Sequence, residues 1–188
     1  MVNLAIFASG SGSNAENIVH HFSRQNTVCI PLIVSNSKTA YVHERAKKLS
    51  IPSFTFSKKE FEETELVLAL LKEYSIDWII LAGFLLKVPE TLLSSFPNRI
   101  INIHPALLPK FGGKGMYGSF VHEAVVAAKE KESGITIHYV NENYDEGAII
   151  FQARCPVLPT DSPEEVAEKV HALEYEYFPK VIEEVVLG

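Results

Sequence analysis

The sequence predicts an α/β protein with a mostly parallel central sheet, helices on both faces and an antiparallel pair of strands toward the C-terminus. Three observations lead there. Short apolar runs rich in β-branched residues, at 2–8, 28–35, 77–82 and 100–103, alternate with segments of helical periodicity, as in successive βαβ units. The first run empties into a glycine-rich loop and then a helical pattern. Late in the chain, two alternating segments, 134–140 and 148–157, flank a tight acidic turn.

The 188 residues, 47% of them hydrophobic, fit one domain with a sizeable core. A net charge of -6 argues against nucleic acid or an anionic membrane as a partner, leaving small-molecule substrates and a monomer or homodimer. Cys29 and Cys155 sit in or beside apolar runs, as buried thiols in a reducing compartment do, and no zinc spacing is present. No basic leader precedes the first apolar run and no apolar stretch is long enough to span a bilayer, so a cytoplasmic protein is expected.

Residues 2–8 are short enough for a buried parallel strand and lead into Ser9-Gly10-Ser11-Gly12-Ser13-Asn14, with Ile18, Val19 and Phe22 following at helical spacing. Gly10, Gly12 and Ala15 fit a dinucleotide loop, yet the second strand, 28–35, runs on through Asn36-Ser37-Lys38 without an acid for a ribose hydroxyl. The loop is therefore expected to cradle a phosphate, with Ser13 and Asn14 capping the helix and its free N–H groups facing the anion. A glycine turn with an ordinary cap is the plain alternative. A helix over about 41–49 and a short strand, 53–56, come next. Residues 60–74 place Phe61, Leu66, Leu70 and Leu71 as one helix would, with acids early and Lys72 late. The fourth strand, 77–82, opens on the apolar loop 83–89, which reads as the wall of an apolar ligand pocket or as a packed turn.

The fifth strand carries the candidate chemistry. Asn102 and His104 interrupt the isoleucine run at i and i+2, so both project from one face, and Pro105 ends the ladder. An amide and an imidazole are thus expected side by side at the carboxyl end of a central strand, the edge where open α/β sheets bind ligands. Residues 110–118 hold four glycines in nine positions and read as a mobile flap. A helix from 119 to about 131 carries His122, and the strand 134–140 places Thr136 and His138 on one side. His138 either lines a site or is satisfied within the sheet. Asp145 lies in the turn 143–147. Ser162 and Pro163 open a closing helix to about 186, with His171 and Glu174 three residues apart on one face.

Ser9-Gly10-Ser11-Gly12-Ser13-Asn14, Leu81-Ala82-Gly83-Phe84, Asn102-Ile103-His104-Pro105-Ala106-Leu107-Leu108-Pro109 and Asp145-Glu146-Gly147, in that order and at those spacings, closely resemble the phosphoribosylglycinamide formyltransferases within the folate-dependent formyltransferase family. The likeness runs over essentially the whole chain. It implies a Rossmann-like formyltransferase fold, with a phosphate-binding half over about 1–100 and a catalytic, folate-binding half over about 101–188. It implies transfer of a formyl group from 10-formyltetrahydrofolate, as cosubstrate and without metal, to the amine of glycinamide ribonucleotide in purine synthesis. Asn102, His104 and Asp145 match the catalytic trio, and Gly12, Ser13, Asn14, His171 and Glu174 the acceptor site. Phe84, Leu85, Leu86, Val88, Tyr139, Val140 and Asn141 match the folate pocket. Leu86 stands where some relatives carry Arg, and the flap is longer than in relatives with Pro-Gly.

That reaction suits the residues. Attack of an amine on a formamide carbon builds charge on the formyl oxygen, which an Asn N–H and a His cation stabilise, while Asp145 is expected to keep His104 protonated and to relay protons. Three rivals remain open. A formyltetrahydrofolate hydrolase uses a similar trio with water as acceptor, and a methionyl-tRNA formyltransferase needs a basic second domain; these 188 residues are expected to hold neither the hydrolase's regulatory domain nor that one. A non-catalytic nucleotide-binding module explains the glycine loop but not Asn102, His104 and Asp145 together.

Overall fold

The computed structural model describes residues 1–188. The elements run β1 (Val2–Phe7), α1 (Ser13–Phe22), β2 (Val28–Ser35), α2 (Val42–Lys48), β3 (Ser53–Thr55), α3 (Lys58–Glu63), α4 (Glu65–Glu73), β4 (Trp78–Leu81), α5 (Glu90–Ser95), β5 (Ile100–His104), α6 (Ser119–Ala127), β6 (Glu132–Tyr139), β7 (Ile149–Pro156) and α7 (Pro163–Leu187). They build a seven-stranded sheet of order β3-β2-β1-β4-β5-β6-β7 with helices around it. β1 pairs parallel with β2 and β4, β2 parallel with β3, and β6 antiparallel with β7, the mixed sheet expected from the sequence. The chain forms two compact units, Met1–Ile101 with Ile182–Gly188, and Asn102–Val181. No helix is long and apolar enough to cross a membrane.

In the first unit the strands are apolar on both faces, as a covered parallel sheet requires: Leu4, Ala5, Ile6 and Phe7 are all fully buried. The glycine loop differs from expectation at its cap. Gly12, not Ser13 or Asn14, is the N-cap of α1; it is left-handed at φ 71°, and no side chain caps it. Close approach dictates this, because a Cβ on Gly12 would lie 2.4 Å from Val42 Cγ2. α2 buttresses the loop further: Val42 N donates to Gly10 O at 3.1 Å, Arg45 Nε to Ser11 O at 2.8 Å, and Arg45 pairs with Glu16.

The single helix expected over 60–74 is two. Thr64 is left-handed at φ 60° and separates α3 from α4, its buried hydroxyl bonded to Thr91 Oγ1 at 2.8 Å. Phe61 and Val67 are both buried and six residues apart, about two-thirds of a turn out of phase in a continuous helix. The break brings both inward and leaves Leu66 57% exposed. α5 was not foreseen; it starts directly after Pro89 and buries Leu92. Cys29 is half-buried rather than buried; Cys155 is buried.

In the second unit, α6 stops at Ala127, short of the expected end near 131, because Lys129 turns left-handed at φ 53° before β6 begins. Backbone contact sets two glycines: a Cβ on Gly134 would meet Ala153 O at 1.9 Å, and one on Gly147 would meet Tyr139 O at 1.6 Å. α7 opens as expected, with Glu165 N donating to Ser162 Oγ at 3.2 Å and Ser162 N to Glu165 Oε2 at 2.7 Å.

Candidate active site

β5 presents Asn102 and His104 from one face, and β6 with the turn after it supplies their partners. Asn102 Nδ2 donates to His138 Nε2 at 3.1 Å. His138 Nδ1 donates to Tyr139 O at 2.8 Å, which assigns the ring its tautomer and leaves Nε2 as the acceptor. His104 Nε2 donates to Phe111 O at 2.7 Å, turning its Nδ1 toward Asp145 Oδ2, 3.5 Å away. Asp145 Oδ1 lies 3.6 Å from His138 Nε2, and Gly113 N donates to Asp145 Oδ2 at 3.0 Å. One carboxylate therefore lies within 4 Å of two imidazoles that are 4% and 2% exposed. Asp145 reaches this place from a left-handed backbone, φ 56°, a conformation Asp tolerates better than most residues.

The segment after His104 is tied down from β6 and β7. The buried Thr136 hydroxyl donates to Ala106 O at 2.7 Å and accepts from Leu108 N at 3.0 Å. Gln152 Nε2 contacts both Leu108 O, at 3.1 Å, and Thr136 Oγ1, at 2.9 Å. These bonds fix the chain between β5 and Phe111, the residue whose carbonyl orients His104.

Electrostatics overturn one expectation. Burial pushes the His104 pKa below that of an ordinary imidazole, and Asp145 and the Phe111 carbonyl oppose this without reversing it. His104 is thus neutral near pH 7 rather than held as a cation. Asp145 behaves oppositely: burial raises its pKa, but the neighbouring His138 and His104 rings and the Gly113 N–H together bring it below the usual carboxylate range.

A second pair lies on α7. His171 Nδ1 donates to Glu174 Oε2 at 2.9 Å, and that bond raises the His171 pKa against the effect of its partial burial. Glu174 is 9% exposed, and its charge favours the protonated form of His104.

The structure thus brings Asn102, His104 and Asp145 together, and separately pairs His171 with Glu174. Gly12, Ser13 and Asn14 belong to the first unit, as do Phe84, Leu85, Leu86 and Val88. There Ser9 N donates to Gly83 O at 2.9 Å and Leu85 N to Ser9 Oγ at 2.8 Å, so the glycine loop and the apolar loop are joined at their bases. Phe84 packs edge-on against Phe7 and Phe61, with centroids 5.4 and 5.0 Å away, and Val88 is buried in the core; Leu85 is exposed and Leu86 half-buried. Tyr139 ends β6 and serves His138 through its carbonyl, while Val140 and Asn141 are half-buried beyond it. His138 is the partner that sequence reasoning left undecided; its i, i+2 relation to Thr136 was the available signal. Phe111 O and Gly113 N–H are backbone groups, invisible to residue-type reasoning. No three His, Cys, Asp or Glu side chains are grouped to hold a metal ion.

The family profile described as "Formyl transferase" matches residues 2–182. The chain is 42% identical over 187 residues to the chloroplastic phosphoribosylglycinamide formyltransferase of Arabidopsis thaliana, covering 95% of this chain and 63% of that one. It is 36% identical to the phosphoribosylglycinamide formyltransferase of Bacillus subtilis, covering 98% of this chain and 95% of that one. The chain thus spans less than two thirds of the plant relative and nearly all of the bacterial one. Among solved structures, glycinamide ribonucleotide transformylase 1 from Geobacillus kaustophilus superposes with a TM-score of 0.90 at 38% identity, covering 100% of both chains.

Proposed function

The chain belongs to the formyl transferase family, and from that premise we propose that it transfers the formyl group of 10-formyltetrahydrofolate to the amine of glycinamide ribonucleotide, a step of purine synthesis. The observation that carries this reading is the convergence of the buried His104 with the half-buried Asn102 and Asp145, joined through His138. Its substrates are small molecules, and its compartment is the cytoplasm or an organelle stroma of the kind the plant relative occupies.

The substrate amine attacks the formyl carbon, the bond from that carbon to folate N10 breaks, and one proton passes from the amine to N10. Asn102 keeps one Nδ2 hydrogen on His138 and offers the other to the formyl oxygen as charge gathers there. His104 is neutral at rest because it is buried beside a single carboxylate. The proton shed by the amine passes to His104 Nδ1, so the cation forms as the transition state forms, stabilised by Asp145 and by the negative charge growing on the formyl oxygen. The stabilisation is then stronger in the transition state than in the ground state, which is what accelerates the step. Asp145, ionised and held by Gly113 N–H, faces that cation 3.5 Å from His104 Nδ1, and the proton passes from His104 to N10 as the carbon–N10 bond breaks. Glu174, fixed by His171, receives the amine-bearing end of the acceptor; in the first unit, Gly12, Ser13 and Asn14 at the start of α1 are the phosphate-binding candidates.

The test is product identity. Isotope-labelled 10-formyldideazafolate and glycinamide ribonucleotide are incubated with the protein and the products separated by mass. Label on the ribonucleotide amine is expected; label released only as formate would overturn the transferase reading.

A further inference from the structure

α6 and α7 line an open pocket of ≈ 260 Å³ bordered by His122, Ala167, Glu168, Val170, His171 and Glu174. Two of its carboxylate and imidazole groups, His171 and Glu174, are bonded to each other. His122 is different. It is only 7% exposed, yet its Nδ1 has no hydrogen-bond partner. Leaving a buried ring nitrogen unpaired destabilises a fold, and an aliphatic side chain of that size would fill the same space on α6 without the penalty. Such an atom beside a cavity points to a ligand that completes it.

We propose that His122 is an acceptor-recognising residue: its Nδ1 lone pair accepts a hydrogen bond from the amine-bearing end of the acceptor substrate, next to the Glu174 carboxylate. The inference rests on the reading of the chain as a glycinamide ribonucleotide formyltransferase. Burial lowers the His122 pKa although Glu174 opposes it, so the ring is neutral and carries a lone pair. The His122 lone pair and the Glu174 carboxylate put two acceptors on one pocket, which favours an end rich in N–H donors. His171 keeps its hydrogen bond to Glu174 and so sets the direction of the carboxylate rather than meeting the substrate. Glu174 charge favours the protonated form of both His104 and His122, so the group recognised here lies within electrostatic reach of the catalytic imidazole.

His122→Leu removes the nitrogen and keeps the apolar bulk. It is expected to raise KM for glycinamide ribonucleotide at least about tenfold, the value of one lost hydrogen bond, leave KM for 10-formyldideazafolate unchanged, and leave Tm unchanged or higher. His122→Asn, whose amide oxygen lies near the position of Nδ1, is expected to recover part of the acceptor affinity. In the wild-type protein with ¹⁵N-labelled histidine, adding glycinamide ribonucleotide alone is expected to shift the His122 Nδ1 resonance. A wild-type acceptor KM in His122→Leu, an equal rise for both substrates, or an unmoved resonance during binding overturns the inference while leaving the transferase reading intact. A wild-type protein that neither binds nor formylates the ribonucleotide overturns both.

Discussion

Neutral His104 is the residue on which the mechanism turns, and its pKa sets its stability consequences. Its folded pKa lies below the 6.5 of an ordinary imidazole, so the unfolded chain binds more protons once the pH falls below that value. The contribution of His104 to stability is full above pH 6.5 and is lost as the pH falls through the window down to the folded pKa. Thermal melts are expected to show Tm dropping between neutral and mildly acidic pH, and the drop is expected to shrink in His104→Gln, which cannot titrate. Asp145→Asn removes the main opposing charge, so the His104 pKa is expected to fall further, read directly by NMR titration of its ring protons; an unchanged titration would separate Asp145 from His104. Because Asn102 is proposed to donate to the formyl oxygen and His104 to take up the proton of the amine beside it, Asn102→Ala and His104→Ala are each expected to lower kcat by about 100-fold or more with the fold retained. Stopped assays on purified, folded variants check this.

At the scale of elements, two glycines tell fold from function. Gly10 has nothing within 4 Å of a would-be Cβ, whereas Gly147 would drive one to 1.6 Å from Tyr139 O, the carbonyl that orients His138. Gly10→Ala is expected to leave Tm within about 1 °C of wild type, a change well under the ~1 kcal/mol that moves Tm by a few degrees. Gly147→Ala is expected to destabilise by about 1–3 kcal/mol, the cost of forcing atoms into a packed site, and to lower kcat with it. Calorimetry and turnover on the pair decide the point. The strands were legible as short apolar runs or alternating segments of the right length, and Asn102 and His104 because polar residues at i, i+2 in such a run have one place to point; Asp145 joined them only through the resemblance to a known family. What escaped notice depended on backbone rather than residue type. Thr64 broke an apparently continuous helix by a left-handed turn, Gly12 replaced Ser13 as cap through contact with Val42, and Phe111 O and Gly113 N–H entered the site as main-chain groups. His104 protonation escaped because burial, which decides it, is a property of the folded chain alone.

At the scale of the whole molecule, each unit brings a distinct part. The first holds a glycine loop braced by α2 and joined to the apolar loop after β4; the second holds the Asn102–His104–Asp145 cluster and the His171–Glu174 pair. The proposed acceptor groups, Glu174, His171 and the glycine loop, have no use in a protein that only discharges formyl groups to water, whereas one that delivers them to an amine needs an acceptor held in place. The measurement that tests this most directly is the single-turnover rate of 10-formyldideazafolate deformylation with and without glycinamide ribonucleotide. The account expects deformylation to be at least about 100-fold faster with the acceptor, as positioning of a bound nucleophile provides, and to yield one formylated amine per folate released. Equal rates with and without the acceptor, with formate as the product, would contradict it.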